Sequence, residues 1–236
     1  MSSAPRTIAV LVRHGDYHQL PDTPSAHQPF PLTERGRTQA DKAAWELGAM
    51  LEAEGWRLAE TIDTSELLRA WQTAERLREG LANCWFPLRI EDFGALAERG
   101  LGSAANLTLE QIVRAVEADP RCDALPANWK ASSHFRLPLP GAESLMEAGE
   151  RVADHLESRM AALAAEVRGD TAKLFVGHGA AFRHAAYRLG VLAFDDIARL
   201  SMYHAAPVYL ERFPDGRWRH IGGHWKRRQS GEGHHD

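Results

Sequence analysis

The apolar run Ile8-Ala9-Val10-Leu11-Val12 ends directly on Arg13-His14-Gly15. A short uninterrupted run rich in β-branched residues reads as a strand buried on both faces, as in the interior of a parallel sheet. A guanidinium, an imidazole and a glycine follow it without a spacer. The carboxyl end of such a strand is where open α/β sheets bind ligands. The pattern returns late in the chain, where Leu174-Phe175-Val176 runs into Gly177-His178-Gly179. Two strand-end histidines, each beside glycine, point to one site assembled from both ends of the chain.

Between them, strand and helix patterns alternate. Thr33 is placed to cap a helix over 34–54, with Ala40, Ala44, Leu47 and Leu51 at helical spacing and Gly55 ending it. Thr61-Ile62-Asp63 reads as a short strand. Ser65 is expected to cap a helix reaching Arg78, with Leu68, Trp71, Ala74 and Leu77 along one side. Leu88-Arg89-Ile90 reads as a strand, and Thr108 with Gln111 as a capping box. A helix over 143–167, a strand over 172–176 and a helix over 181–189 follow. Val208–Phe213 and Arg217–Ile221 flank Pro214-Asp215-Gly216, a hairpin signal. This alternation predicts an α/β fold, a three-layer α/β/α sandwich whose mostly parallel sheet carries helices on both faces. No repeat or linker divides the chain, so residues 1–236 are expected to form one domain. Segments 16–31 and 119–141 each carry four prolines and no periodicity, and are expected to act as lid loops. A polar, flexible tail is expected from about residue 226.

Composition excludes several partners. The net charge of −4 gives no global basic field for nucleic acid. The apolar run before Arg13 is too short for a signal-peptide core or a membrane span, so a cytoplasmic location without membrane attachment is expected. Cys84 and Cys122 make no framework or metal motif and are read as reduced bystanders. The basic triplet Lys226-Arg227-Arg228 is read as a solvated face. The C-terminal hairpin offers an edge at which a homodimer could form.

Four pieces carry chemistry: Arg13-His14-Gly15, the segment Ser65–Ala74 containing Arg69, Glu98, and Gly177-His178-Gly179. A parallel sheet would gather them at one edge. The set suits phosphoryl transfer, which is mostly positioning and charge stabilisation. Arg13 and Arg69 supply planar forks for phosphate oxygens. A neutral imidazole can attack phosphorus and become a phosphohistidine. A second, protonated histidine can hold a phosphoryl oxygen, and a carboxylic acid can protonate the leaving oxygen. Glu91 and Asp92 are alternatives to Glu98 for that last task.

With these pieces the chain resembles the histidine phosphatase superfamily, also called the phosphoglycerate mutase-like family. The resemblance runs from Ile8 to about Ile221. It rests on Val-Arg-His-Gly at 12–15, Leu-Thr-Glu-Arg-Gly-Arg-Thr-Gln-Ala at 32–40 and Ser-x-x-x-Arg-Ala-x-Gln-Thr-Ala at 65–74. Pro-Gly-Ala-Glu-Ser at 140–144 and Val-Gly-His-Gly at 176–179 complete it. The resemblance implies that His14 is the nucleophile, that Arg13, Arg69 and His178 form the phosphate pocket, and that Glu98 is the proton donor. It also implies that no metal or other cofactor takes part. Gly179, Thr33, His18 and His27 are further candidates for lining the pocket.

The family contains phosphatases and mutases. Asp16-Tyr17-His18 stands where mutases usually have a Trp-Asn pair, and the Tyr-Gly-x-x-x-Gly-Leu-Asn-Lys stretch of mutases is absent after Glu98. Their paired arginines have no clear counterpart near Trp129-Lys130. Water is therefore the expected acceptor, with a phosphorylated small molecule or a phosphoprotein as substrate. The stretch Arg-His-Gly-Asp-Tyr-His also resembles a mitochondrial branch of the family that dephosphorylates proteins. A phosphoglycerate mutase is the alternative enzyme, and an inactive binding scaffold the alternative of another class.

Overall fold

The structure, a computed structural model, describes residues 4–82 and 87–228. Cys84 lies outside the described residues. The first strand, β1 (Thr7–Arg13), is buried along its whole length. It pairs in parallel with β5 (Thr171–Gly177) and antiparallel with β7 (Pro207–Arg212). Beyond β5 lie β3 (Thr61–Ser65) and then β4 (Arg89–Phe93), both parallel to it, and β8 (Trp218–Gly223) closes the far side antiparallel to β7. The short β2 (Arg57–Leu58) also pairs with β5. The sheet order is thus β4-β3-β5-β1-β7-β8. The hairpin predicted around Pro214-Asp215-Gly216 is present and forms an antiparallel edge.

Helices cover both faces, as the buried strands require. Ile8, Val10 and Val12 pack with Leu47 and Leu51 of α1 (Glu34–Glu54) and with Ala74 and Leu77 of α2 (Leu68–Leu81). The alternate residues Ala9 and Leu11 pack with Val152 and Leu156 of α4 (Leu145–Glu166) and Phe182 of α5 (Gly179–Arg188). Period-two alternation along β1 therefore supplies both halves of the core. A third cluster joins Ala26 of the first Pro-rich segment, Trp129 and Leu137 of the second, and Ile112 of α3 (Leu109–Glu117). The two segments are packed against each other.

Several boundaries differ from expectation. Ser65 does not cap α2; it is the last residue of β3, and Leu67 occupies the cap without a side-chain bond. Helix α5 starts at Gly179, immediately after His178, rather than at Ala181. The short α6 (Phe194–Arg199), β6 (Leu200–Met202) and β9 (Trp225–Arg227) have too few residues to show a period. β9 pairs with β6, so the chain expected to fray from about residue 226 is still strand at Arg227. Residues 229–236 lie outside the described residues. No helix among the described residues is long and apolar enough to cross a membrane.

Candidate active site

Register places the two strand-end histidines side by side. Arg13 and Gly177 are partners across the β1–β5 pair, so His14 and His178 leave adjacent strands at one level. Their ring centroids are 5.1 Å apart, and both residues are buried. Gly15 owes its identity to crowding. A Cβ there would lie 2.5 Å from the carbonyl oxygen of Gly36, and one on Gly36 would lie 1.9 Å from that of Asp16. This close approach brings the amino end of α1 against the turn after β1.

The hydrogen bonds fix the tautomer of His14. Its Nδ1–H donates to the Gly15 carbonyl at 2.8 Å, since a carbonyl can only accept. Nε2 is then the unprotonated nitrogen, and it accepts from Arg69 Nε at 3.2 Å. Burial pushes the His14 pKa well below its ordinary value, and the charges of Arg69, His178, Arg13 and His204 push the same way. The result is a neutral imidazole with its lone pair turned to a guanidinium.

Arg69 is fully buried at the amino end of α2. Its Nη1 donates to the Gln28 carbonyl at 2.9 Å, and Nη2 to those of Ser25 at 3.1 Å and Ala26 at 2.7 Å. The guanidinium thus ties the first Pro-rich segment over the site. Nη2 also donates to His178 Nδ1 at 3.1 Å, which leaves Nε2–H of His178 to donate to Ser65 Oγ at 2.9 Å. His178 is therefore neutral here. Burial first, then Arg69, His27 and Arg13, hold its pKa well below the usual value. The sequence reading has a histidine here that can be protonated on a phosphoryl oxygen; the bonds to Arg69 and Ser65 are those of the neutral ring.

Glu98 is buried and faces the start of α5. Oε1 accepts from the backbone N–H groups of Arg99 at 2.9 Å and Ala181 at 3.1 Å, and Oε2 from that of Ala180 at 3.3 Å. The N–H groups of Ala180 and Ala181 are free donors of the α5 amino terminus, where anions are favoured. Arg13 lies against the same terminus: a Cβ on Gly179 would meet its Nε at 3.3 Å. Arg13 Nη1 donates to the Met202 carbonyl at 3.0 Å.

The structure therefore brings together His14, Arg13, Arg69, Glu98, His178 and Gly179. Of the other candidates, His27 belongs to the cluster through its ring, which donates from Nε2 to the Glu98 carbonyl at 2.8 Å. Thr33 caps α1. Its hydroxyl accepts from the Gly36 N–H at 3.0 Å and donates to Asp16 Oδ2 at 2.7 Å, which accounts for it without a ligand. His18 is exposed, and among the described residues its one hydrogen bond is from its backbone N–H to Pro31. The alternatives Glu91 and Asp92 stand on β4, where Glu91 pairs with Arg159 at 2.8 Å.

Sequence reasoning missed four neighbours. Tyr17 lies 4.5 Å beneath the Arg69 guanidinium and edge-on to His14. Thr73 accepts the Gly15 N–H at 3.0 Å. His204 places its ring 5.6 Å from His14, on the connection between β6 and β7. Arg99, noted in the sequence only as the residue after Glu98, is buried and reaches Lys130. Thr73 alone had a signal, one helical turn after Arg69.

Fold and site define an α/β protein in which two strand-end histidines and two arginines meet at one end of the sheet. The chain belongs to the histidine phosphatase superfamily (branch 1), whose family model matches residues 9–222. It is 27% identical over 205 residues to a 2,3-bisphosphoglycerate-dependent phosphoglycerate mutase of Parvibaculum lavamentivorans, covering 86% of this chain and 90% of that one. It resembles the structure of a mycobacterial glucosyl-3-phosphoglycerate phosphatase with a TM-score of 0.69 at 25% identity, over 91% of this chain and 97% of that one. A Bacillus anthracis phosphoglycerate mutase shares the fold with a TM-score of 0.70 at 18% identity, over 92% of each chain.

Proposed function

We propose that the protein is a phosphatase that hydrolyses phosphomonoesters through a phosphohistidine on His14. The observation that carries this reading is the His14 tautomer, with Nδ1–H held by Gly15 and the unprotonated Nε2 turned to Arg69, from which it accepts a hydrogen bond. In the first step Nε2 attacks phosphorus and the bond to the leaving oxygen breaks. Arg13 and Arg69 neutralise the equatorial oxygens. An arriving dianion favours protonation of His178, which then donates to a phosphoryl oxygen. Glu98 gives its proton to the leaving oxygen. Oε2, which has the single long bond to Ala180, is the oxygen suited to carry it. In the second step Glu98 takes a proton from water as the water attacks phosphorus. His14 is released neutral, with inorganic phosphate as the product.

No group of three or more His, Cys, Asp or Glu side chains among the described residues is arranged to hold a metal. We take the reaction to be metal-independent, in the cytoplasm, on a phosphorylated small molecule or phosphoprotein. The test is para-nitrophenyl phosphate hydrolysis in EDTA. Wild type should turn over, and His14→Ala should lose at least about 1,000-fold, as expected for loss of a nucleophile. Rapid quench should trap phosphate on His14. Full activity in His14→Ala would sink the mechanism, and complete loss in EDTA its metal independence. The 27% identity to a phosphoglycerate mutase supports a second reading. That reading requires interconversion of phosphoglycerates faster than release of free phosphate.

A further inference from the structure

At the opposite end of the sheet from His14 and His178 lies a cavity of about 890 Å³. It is bounded by the amino ends of β2, β3, β4 and β5, at Arg57, Thr61, Arg89 and Thr171, and by the carboxyl end of α4. Register explains the opening. β2 takes the edge of β5 at Thr171 and Ala172, and β3 joins that edge only at Asp63 and Thr64. Lys173 bridges the step, donating from Nζ to the Thr61 carbonyl at 3.1 Å and pairing with Asp63 at 2.7 Å. The seven residues of β5 put about 20 Å between this end and His178. The cavity is therefore separate from the phosphate pocket.

Its walls are of two kinds. Leu58 is buried and Leu163 and Val167 are half-buried, which gives an apolar side. Arg57, Arg89 and Arg168 stand exposed around it. Arg89 lies 3.7 Å from Glu60, a contact worth little because both side chains are 70% exposed. The guanidinium groups of Arg57 and Arg168 make no hydrogen bond or ion pair among the described residues. They stand close together: a Cβ on Gly169, the residue after Arg168, would lie 3.6 Å from Arg57 Nε. At the back, Arg159 and Lys173 are paired with Asp63 and Glu91. The carboxylates in the lining are Glu60 and Glu166, so three arginines face two acids at the front.

We infer that this cavity is a second binding site, for a small organic anion. An aromatic or aliphatic body lies on Leu58, Leu163 and Val167, and a phosphate, sulfonate or carboxylate group is held by Arg57 and Arg168. The volume is that of small-molecule sites, where an apolar lining binds and a few polar groups orient. Guanidinium forks match such anionic groups. An inorganic anion alone gains little from exposed arginines, and a neutral apolar molecule leaves them unused. The site is independent of the reaction at His14.

The probe is anilinonaphthalene sulfonate, an aromatic body with one sulfonate. It is titrated by fluorescence into the full-length folded protein, with calorimetry giving the stoichiometry. One saturable site should appear. Arg57→Gln and Arg168→Gln should each raise its Kd by about 3- to 10-fold, the range for one exposed charge-assisted bond. Both side chains are exposed, so the variants should melt at the wild-type temperature. Neutral N-phenylnaphthylamine, which keeps the body and loses the sulfonate, should bind at least about 10-fold more weakly. Saturating orthovanadate, a mimic of the phosphoryl group, should leave the Kd of the probe unchanged. The site is overturned by the absence of saturable binding, by an unchanged Kd in both arginine variants, by equal affinity for the neutral analogue, or by displacement of the probe with vanadate.

Discussion

At the scale of single residues, the division of labour between Glu98 and His14 is open to a direct test. Glu98→Gln keeps the shape and loses the proton. It should slow hydrolysis of alkyl phosphates by about 100-fold or more, the usual range for a general acid. Para-nitrophenyl phosphate, whose leaving group needs no proton, should lose far less. Equal slowing of both would remove Glu98 from the role of leaving-group acid. His14, Arg13, His178 and Gly179 were legible in the sequence because each adjoins a strand whose apolar run is unmistakable. Arg69 and Glu98 were legible only through their company, since an arginine on a helix and a glutamate in a loop are ordinary when alone. Arg99 and His204 were not legible. A loop arginine after a glutamate has no period to read, and the segment bearing His204 reaches the site only because its Ala205 N–H donates to the Arg13 carbonyl at 2.8 Å.

At the scale of elements, β3 and α4 are joined by a buried charge cluster that the sequence reading did not find. Asp63 is fully buried. It pairs with Lys173 at 2.7 Å and Arg159 at 2.7 Å, and bonds to His155 at 3.0 Å. Burial alone would push its carboxyl up, but the bonds from His155 and Arg159 and the Lys173 ammonium overcome this and hold it low. Asp63→Asn should destabilise the fold by about 3–5 kcal/mol, because it strands buried cations. Urea unfolding measures this, and a loss under about 1 kcal/mol would show the cluster to be well solvated. Helices α4 and α5 meet at Gly149, where an added Cβ would lie 2.3 Å from the His184 Cβ and 2.7 Å from its backbone carbon. Gly149→Ala should cost about 1–3 kcal/mol through overpacking, despite the better helix propensity of alanine. An unchanged urea midpoint would mean that the helices separate freely. The long elements were legible from their periods. The misplaced start of α2 has a specific cause: Ser65 has the chemistry of a cap, yet its hydroxyl oxygen accepts from His178 and from the N–H of Leu67, which precedes the helix, and from no N–H within α2. Both strand end and helix cap favour the same residue type there, and only the sheet register decides between them.

At the scale of the whole molecule, the architecture buries imidazoles in their neutral form, and this links stability to pH. His14 and His178 are held well below their ordinary value, and burial brings His184 down to about 4. In the unfolded chain each titrates near 6.5. As pH falls below about 6.5, the unfolded state binds protons that the folded state refuses, so stability falls with pH. Three such groups give a limiting slope of about 4 kcal/mol per pH unit. Thermal melts should therefore show Tm dropping steeply from pH 6.5 to pH 4.5 and staying nearly level from 6.5 to 7.5. Sulfate offers a sharper version, because it remains a dianion across this range and matches the charge of a bound phosphoryl group. If an anion in the pocket lets His178 take up its proton, the folded state gains one bound proton. The slope should then shrink by about 1.4 kcal/mol per pH unit relative to chloride at equal ionic strength. His178→Gln should show the shallower slope in chloride and no further change in sulfate. Equal slopes for the wild type in the two salts would mean that His178 stays neutral beside a bound anion. Arg13 and Arg69 alone would then carry the charge of the phosphoryl group.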